Sequence, residues 1–185
     1  EELGAAYLAV SSVDEARELR GAGIRLPILQ LGMTPVEQTD QLLAHQVTQA
    51  VWSEDAALAF SRAAEELGGR LTVHIKLDTG MSRLGFPCDE GRFEASREAV
   101  RRACALPGLA AEGIFTHFAV SDEDGEDSRG YTLLQYRRFD GMVRALEAEG
   151  VRFTLRHCAN SGAAVGYPQL GRDLFRPGIV SYGIG

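Results

Sequence analysis

Leu71-Thr72-Val73-His74-Ile75-Lys76-Leu77-Asp78 is the stretch whose reading decides the fold. In an extended chain, side chains alternate between two faces, so Leu71, Val73, Ile75 and Leu77 share one face and Thr72, His74, Lys76 and Asp78 the other. A glycine-punctuated segment follows, Thr79-Gly80-Met81-Ser82-Arg83-Leu84-Gly85-Phe86, and then a helical run from Asp89 to Ala105. The same strand–loop–helix order recurs along the chain. Apolar runs lie at Tyr7–Val10, Pro27–Leu31, Val47–Trp52, Leu109–Phe118, Phe153–Cys158 and Leu174–Tyr182, with further long helical segments at Glu54–Leu67 and Gly130–Glu149. Such alternation predicts an α/β protein with parallel strands. A spacing of about 25 residues per strand suits a (β/α)8 TIM-type barrel, which closes with eight strands. No G-x-G-x-x-G follows the first strand, which argues against a doubly wound sheet. The tally over residues 1–185 is one strand short of that closure, and no low-complexity linker or second domain is visible.

Helix punctuation supports the reading. Ser12-Val13-Asp14-Glu15 and Thr34-Pro35-Val36-Glu37 both have the pattern of a capping box, and Pro35 suits a first helical turn. Gly21 and Gly68 stand where helices should end. His45 reads as a surface residue, and Arg137 and Arg138 as a solvated helix face.

Composition narrows the functional classes. The 185 residues carry a net charge of −7, which argues against a nucleic-acid partner. No apolar run reaches the roughly 20 residues of a membrane span, so no membrane partner is expected. Cys88, Cys104 and Cys158 are odd in number, scattered and without a C-x-x-C pair, which predicts neither disulfides nor a bound metal and fits a reducing, cytoplasmic setting. The start, Glu1-Glu2-Leu3-Gly4, has neither an initiator methionine nor a signal-peptide pattern, as in a processed chain or a piece of a longer one. Of 19 basic residues, one is a lysine, Lys76.

In a barrel wall, the polar face of Leu71–Asp78 points into the lumen and Lys76 lies towards the C-terminal end, where barrel enzymes place their chemistry. The loop brings Arg83 near it. Two cations in a poorly solvated place repel each other and are desolvated at a cost. Three resolutions are open: a depressed lysine pKa giving a free amine able to form a Schiff base, conversion of the amine to a carbamate, or a carboxylate neighbour, with Asp78 the nearest. Asp78-Thr79-Gly80 also matches the aspartic protease tripeptide, but one copy in a helix-rich α/β chain does not make that all-β enzyme.

The string Val73-His74-Ile75-Lys76-Leu77-Asp78-Thr79-Gly80-Met81-Ser82-Arg83-Leu84-Gly85-Phe86 resembles the signature of bacterial alanine racemases. Gly113-Ile114-Phe115-Thr116-His117-Phe118-Ala119 is similar to that family's T-H-F-A strand end, His157-Cys158-Ala159-Asn160-Ser161-Gly162-Ala163-Ala164 to its A-N-S-A segment, and Arg176-Pro177-Gly178-Ile179-Val180-Ser181-Tyr182-Gly183 to its R-x-G-I-x-x-Y-G strand. The resemblance covers essentially the whole chain. It implies a pyridoxal 5′-phosphate enzyme that interconverts L- and D-alanine by two-base proton transfer. The D-alanine would serve cell-wall peptidoglycan, and the enzyme would be a head-to-tail homodimer acting on a small amino acid. It further implies that Lys76, often carbamylated in the family, holds Arg83, and that Arg83 donates to the cofactor's phenolic oxygen and lies by the substrate carboxylate. His117 would tune a catalytic tyrosine of the partner subunit. Arg176 would face the pyridine nitrogen, supported by His157, and Ser161, Gly178 and Ile179 would bind the phosphate with Asn160 beside them.

Residue chemistry agrees with parts of this. A guanidinium does not give up its proton, so it leaves a facing ring nitrogen unprotonated. Asn160-Ser161 reads as a short helix start with free N–H groups, and Gly178 lets backbone approach an anion. By residue type alone, His117 and His157 could equally be satisfied core histidines, Ser161 a simple cap and Arg176 a surface ion-pair residue. The family's cofactor lysine motif, at the end of its first barrel strand, and its C-terminal β-domain tyrosine have no counterpart here, so the resemblance implies strands 2 to 8 of the (β/α)8 barrel of a longer racemase. A serine or broad-specificity racemase shares these motifs, and a non-catalytic cofactor-binding barrel is the alternative from another class. The 185-residue piece with added cofactor is expected to yield no D-alanine in a sensitive assay. Borohydride reduction with cofactor is expected to leave Lys76 unlabelled; turnover would overturn the inactive-fragment reading, and labelling would make Lys76 the Schiff-base residue.

Overall fold

The computed structural model describes residues 4–183, so Glu1-Glu2-Leu3, read above for leader signals, lies outside the described residues. The elements run β1 (Leu8–Val10), α1 (Val13–Gly21), β2 (Ile28–Gln30), α2 (Thr39–Ala44), β3 (Val47–Val51), α3 (Glu54–Glu66), β4 (Leu71–Asp78), β5 (Phe86–Pro87), α4 (Phe93–Cys104), β6 (Leu109–Phe115), α5 (Glu126–Ala148), β7 (Leu155–His157) and α6 (Ser161–Gly166). Short 3-10 turns cover Val36–Gln38, Pro168–Leu170 and Ile179–Tyr182. The pairs β1–β2, β2–β3, β4–β5 and β6–β7 are all parallel. Strand order follows chain order, β1-β2-β3-β4-β6-β7, with β5 a stub on β4. A doubly wound sheet reverses its order at a switch point, whereas a barrel advances one strand at a time. The sequential order therefore carries the barrel-type α/β reading.

One expected strand does not form. Asp173 N–H meets Arg156 C=O and Arg176 N–H meets Ala159 C=O, both at 2.9 Å, but no ladder of backbone bonds continues along Leu174–Tyr182 in the described residues. Pro177 then offers no N–H, and the chain turns into the 3-10 segment Ile179–Tyr182 instead of extending. Helix α5 starts at Glu126, four residues before the expected Gly130, and α4 starts at Phe93, four after Asp89.

The chain falls into two compact units, Glu1–His74 with Arg102–Glu112, and Ile75–Arg101 with Gly113–Gly185. In the first, Ser12 caps α1 as expected, accepting the Glu15 N–H at 3.2 Å while the Glu15 carboxylate takes the Ser11 N–H. The second capping box does not form. Thr34 is buried and its hydroxyl donates to Gln49 Oε1 at 2.7 Å, because the core amide needs a partner more than an exposed turn needs a cap. Gly23, not Gly21, takes the left-handed position after α1, with φ +86°, and Gly68 does so after α3, with φ +68°. Beneath, Tyr7 donates to Glu112 Oε2 at 2.8 Å and shares a 2.8 Å hydroxyl contact with Thr48, while His74 Nε2 lies 3.1 Å from the same carboxylate oxygen.

In the second unit, Thr132, Gln135, Phe139, Met142, Val143 and Leu146 make the buried stripe of α5, spaced as a helical face requires. Ile75, Leu77, Ile114, Phe115 and Phe118 are buried with it. No helix of the described residues is long and apolar enough to cross a membrane.

The Tyr7–Glu112–His74 cluster has a measurable signature. The hydrogen bond from His74 holds the Glu112 carboxyl below its ordinary range, seconded by Tyr7. A depressed carboxyl contributes stability above its unfolded pKa and loses it as pH falls through the folded value. Urea midpoints of the whole protein should therefore fall on acidification below about pH 5, with a shallower fall in Glu112→Gln.

Candidate active site

Every sequence-predicted site residue lies in the second unit: Lys76 within β4 and His157 at the end of β7, the others in the segments that follow β4, β6 and β7. After β4, Asp78 Oδ1 accepts the N–H groups of Gly80 and Ser82 at 3.0 and 2.9 Å, an Asx-type turn that starts the loop. Gly85 then brings the chain back against β4. A Cβ there would stand 2.6 Å from Asp78 N and from Leu77 C, and its φ of +135° suits only glycine, so this close return depends on the missing side chain. Helix α5 holds the outer side of the turn. The Tyr131 hydroxyl donates to Gly80 C=O at 2.6 Å and Arg138 Nη1 donates to Thr79 C=O at 3.0 Å. Arg138 is therefore half-buried and tied to a loop carbonyl, contrary to the expected solvated face; Arg137 is exposed as expected.

Lys76 is buried, with its ammonium 5.0 Å from the centre of the Phe115 ring. Burial, and then the charges of Arg83 and Arg176, push the ammonium down to about 8, with Asp78 pulling only slightly the other way. Asp78, the carboxylate neighbour and the last-ranked of these influences, spends Oδ1 on two backbone donors and does not hold the lysine in its ordinary range. A free-amine fraction, which the other two need, is available near neutral pH.

Arg176 crosses to the ends of β6 and β7. Its Nη1 meets His157 Nδ1 at 2.6 Å, Nη2 donates to Thr116 C=O at 2.7 Å and to Cys158 C=O at 3.3 Å, and its fork lies 5.4 Å from the Phe115 ring centre. Since a guanidinium only donates, His157 Nδ1 must accept, which places that ring's proton on Nε2. His157 is wholly buried and stacks on Phe115 at 4.8 Å with planes 3° apart. Burial lowers Arg176 only to about 10, so it keeps its charge at neutral pH. His117 is pushed down to about 3 by burial and then by Arg176, Lys76 and Arg83, and is a neutral imidazole. Arg83 is exposed and acts on both groups through its charge.

Asn160, not Ser161, caps α6. Its Oδ1 accepts from Ala163 N–H at 3.1 Å and Ser121 Oγ at 2.6 Å. Ser161 Oγ instead accepts the Gly178 N–H at 2.9 Å, which brings these two predicted residues together, with Ile179 next in the chain and exposed. A Cβ on Gly178 would meet nothing nearer than that oxygen at 3.8 Å, so internal packing alone does not require glycine there. Three cations faced by one engaged carboxylate, together with an open glycine–serine cradle, form a donor set that suits an anionic cofactor carrying a phosphate.

Sequence reasoning missed Phe115, read only as part of an apolar run, and Gln135. The signal for the second was present: a polar residue in the apolar stripe of α5.

The whole chain, residues 1–185, matches the family model described as alanine racemase, N-terminal domain. It is 45% identical over 184 residues to an alanine racemase of Desulforamulus reducens, covering 99% of this chain and 48% of that protein. It is 42% identical over 182 residues to one of Desulfovibrio desulfuricans, covering 98% and 47%. An alanine racemase of Clostridium difficile solved in complex with cycloserine superposes with a TM-score of 0.92 at 35% identity, covering all of this chain and 49% of that one. The chain thus spans about half the length of the relatives it matches.

Because the charged form of Lys76 is penalised in the fold, stability should rise with pH between about 8 and its unfolded value. In the cofactor-free whole protein, nitrogen NMR of labelled lysine should place the Lys76 midpoint near 8. Arg83→Gln should raise it; an unmoved midpoint would show that the Arg83 charge does not reach the ammonium.

Proposed function

The chain belongs to the alanine racemase family, as its N-terminal barrel domain, and on that premise we propose that the whole protein interconverts L- and D-alanine with pyridoxal 5′-phosphate. The observation that carries the reading is the gathering of Lys76, Arg83 and Arg176 around a neutral His117, with Ser161 and Gly178 side by side. When bound, the cofactor supplies the electron-withdrawing group that makes the substrate's Cα–H acidic enough to leave. Everything else in the proposal concerns what this chain's residues do.

Arg176 keeps its protons and has its direction fixed by His157 Nδ1 and two carbonyls, so the atom it faces on the cofactor ring receives hydrogen bonds without receiving a proton. That tempers electron withdrawal and favours rapid return of the proton at Cα over side reactions. Arg83, on the exposed loop, would serve the cofactor's phenolic oxygen and the substrate carboxylate, and Lys76, converted to a carbamate, would hold it as an anionic partner. His117, neutral across the physiological range, offers a nitrogen as acceptor to a tyrosine hydroxyl from a second subunit and so tunes that second base. Ser161 Oγ and the backbone at Gly178 and Ile179 hold the phosphate, and Asn160 braces the turn that carries Ser161.

In this reading residues 1–185 are the cofactor-binding barrel portion, the working unit is a head-to-tail homodimer in the cytoplasm, and the product D-alanine supplies cell-wall peptidoglycan. The test is an assay of the whole protein, loaded with cofactor, on L- and D-alanine and on L- and D-serine. Alanine should turn over in both directions with the higher kcat/KM. Turnover of serine above alanine would reassign the substrate, and cofactor binding without turnover of any amino acid would overturn the enzyme reading.

A further inference from the structure

We infer that Gln135 is a positioning residue that locks the Arg83-bearing loop to the strand end carrying His117, through hydrogen bonds whose direction is fixed. The inference rests on the racemase reading for its consequence but not for its geometry. Gln135 projects from α5 and is wholly buried, as are Thr79 and Thr116. Its Oε1 accepts the Ala119 N–H at 2.9 Å, and its Nε2 donates to His117 C=O at 3.2 Å and to Thr79 Oγ1 at 3.3 Å. An amide has two hydrogens and one oxygen, and all three are used.

The direction follows from proton counting. Thr116 Oγ1 donates to Leu77 C=O at 3.0 Å, which spends its only hydrogen. In the 2.8 Å contact between the two threonine hydroxyls, Thr79 must therefore donate. Thr79, having spent its own hydrogen, can only accept from Gln135. The hydrogen bonds thus run one way, from Gln135 to Thr79 to Thr116 to the Leu77 carbonyl. A flipped amide would set nitrogen against the Ala119 N–H and oxygen against the His117 carbonyl, two like-with-like contacts. In surroundings without water each such mismatch is costly, so the amide is held in one orientation.

The chain of bonds joins two places the site depends on. Thr79 opens the loop that carries Arg83, and His117 and Ala119 flank the end of β6. Thr116, at the centre, also offers the carbonyl that seats Arg176 Nη2 at 2.7 Å. Gln135 touches no reacting atom. It fixes where the backbone puts the groups that do, and displacement of such groups by about 1 Å can cost about a hundredfold in rate.

The test uses the whole protein with Gln135→Leu, Gln135→Glu, Thr79→Val and Thr79→Ser. Hydrogen–deuterium exchange is read on peptides covering Thr79–Phe86 and Thr116–Ala119, and kcat and KM on alanine. Gln135→Leu should lose about a hundredfold in kcat with KM changed less than about threefold, and both peptides should exchange faster. A Gln135→Glu carboxylate presents only acceptors, but its acid form regains one donor, and burial favours that form. Its deficit relative to the unsubstituted protein at each pH should therefore shrink by about tenfold or more between about pH 9 and about pH 6, which lost packing alone would not produce. Thr79→Val should speed exchange in both peptides, and Thr79→Ser, which returns the hydroxyl, should restore protection. Retention of kcat within about threefold in Gln135→Leu, or a pH-independent deficit in Gln135→Glu without deprotection of either peptide, would overturn the inference. Should the unsubstituted protein turn over no amino acid, the racemase reading fails by itself. The exchange arms then decide alone: deprotection of both peptides upholds the lock, and deprotection confined to α5 or absent overturns it.

Discussion

Like charges brought together out of water set the terms for this site. Lys76 and Arg176 each approach the face of Phe115, at 5.0 and 5.4 Å, and Arg83 adds its field from the loop. A ring face attracts cations and offsets part of the repulsion, but it carries no net charge. Burial first, and then the surplus, shows in the neighbours: the lysine gives up its proton readily and His117 hardly takes one. Folding alone has little use for such a concentration. An anion that enters finds a site already charged to receive it, and this is why the geometry argues for binding rather than for structure.

The devices that hold the cations in place are ordinary ones. Backbone N–H groups tie up Asp78, a glycine lets the loop return against β4, and a buried histidine receives the Arg176 fork. Asp78 keeps its negative charge while it anchors the turn, but it is the last-ranked of the influences on Lys76, so the loop is ordered and the lysine stays lowered.

Much of this was legible in the sequence because local rules and the final structure agree there. The alternation at Leu71–Asp78 is β4 as expected, the strand–helix order gave the parallel sheet, and the motif residues Arg176, His157, Ser161 and Gly178 do meet. What escaped was decided by distant partners. Thr34 has a capping pattern but answers to Gln49, nearly a full strand–helix unit away in the chain. Arg138 looks like a surface charge until the Thr79 carbonyl appears opposite it. The segment at Leu174–Tyr182 has strand composition, yet Pro177 has no N–H to offer a ladder, the Gly178 N–H goes to the Ser161 hydroxyl, and the chain turns into a 3-10 segment. Phe115 reads as one more apolar residue because its work is done by its face, and composition does not say what a face meets.

One feature of composition acquires a sense it lacked at first. Eighteen of the nineteen basic residues are arginine, and the exception sits in the interior within the field of Arg83 and Arg176. The outer surface therefore presents no side-chain amine among these residues. Reagents that acylate or alkylate amines find a single side-chain target in this stretch, one whose neutral fraction is raised by its surroundings and whose access any occupant would block. The arginine-rich exterior thus turns amine reactivity into a gauge of whether the interior is filled, a built-in reporter that needs no engineered label.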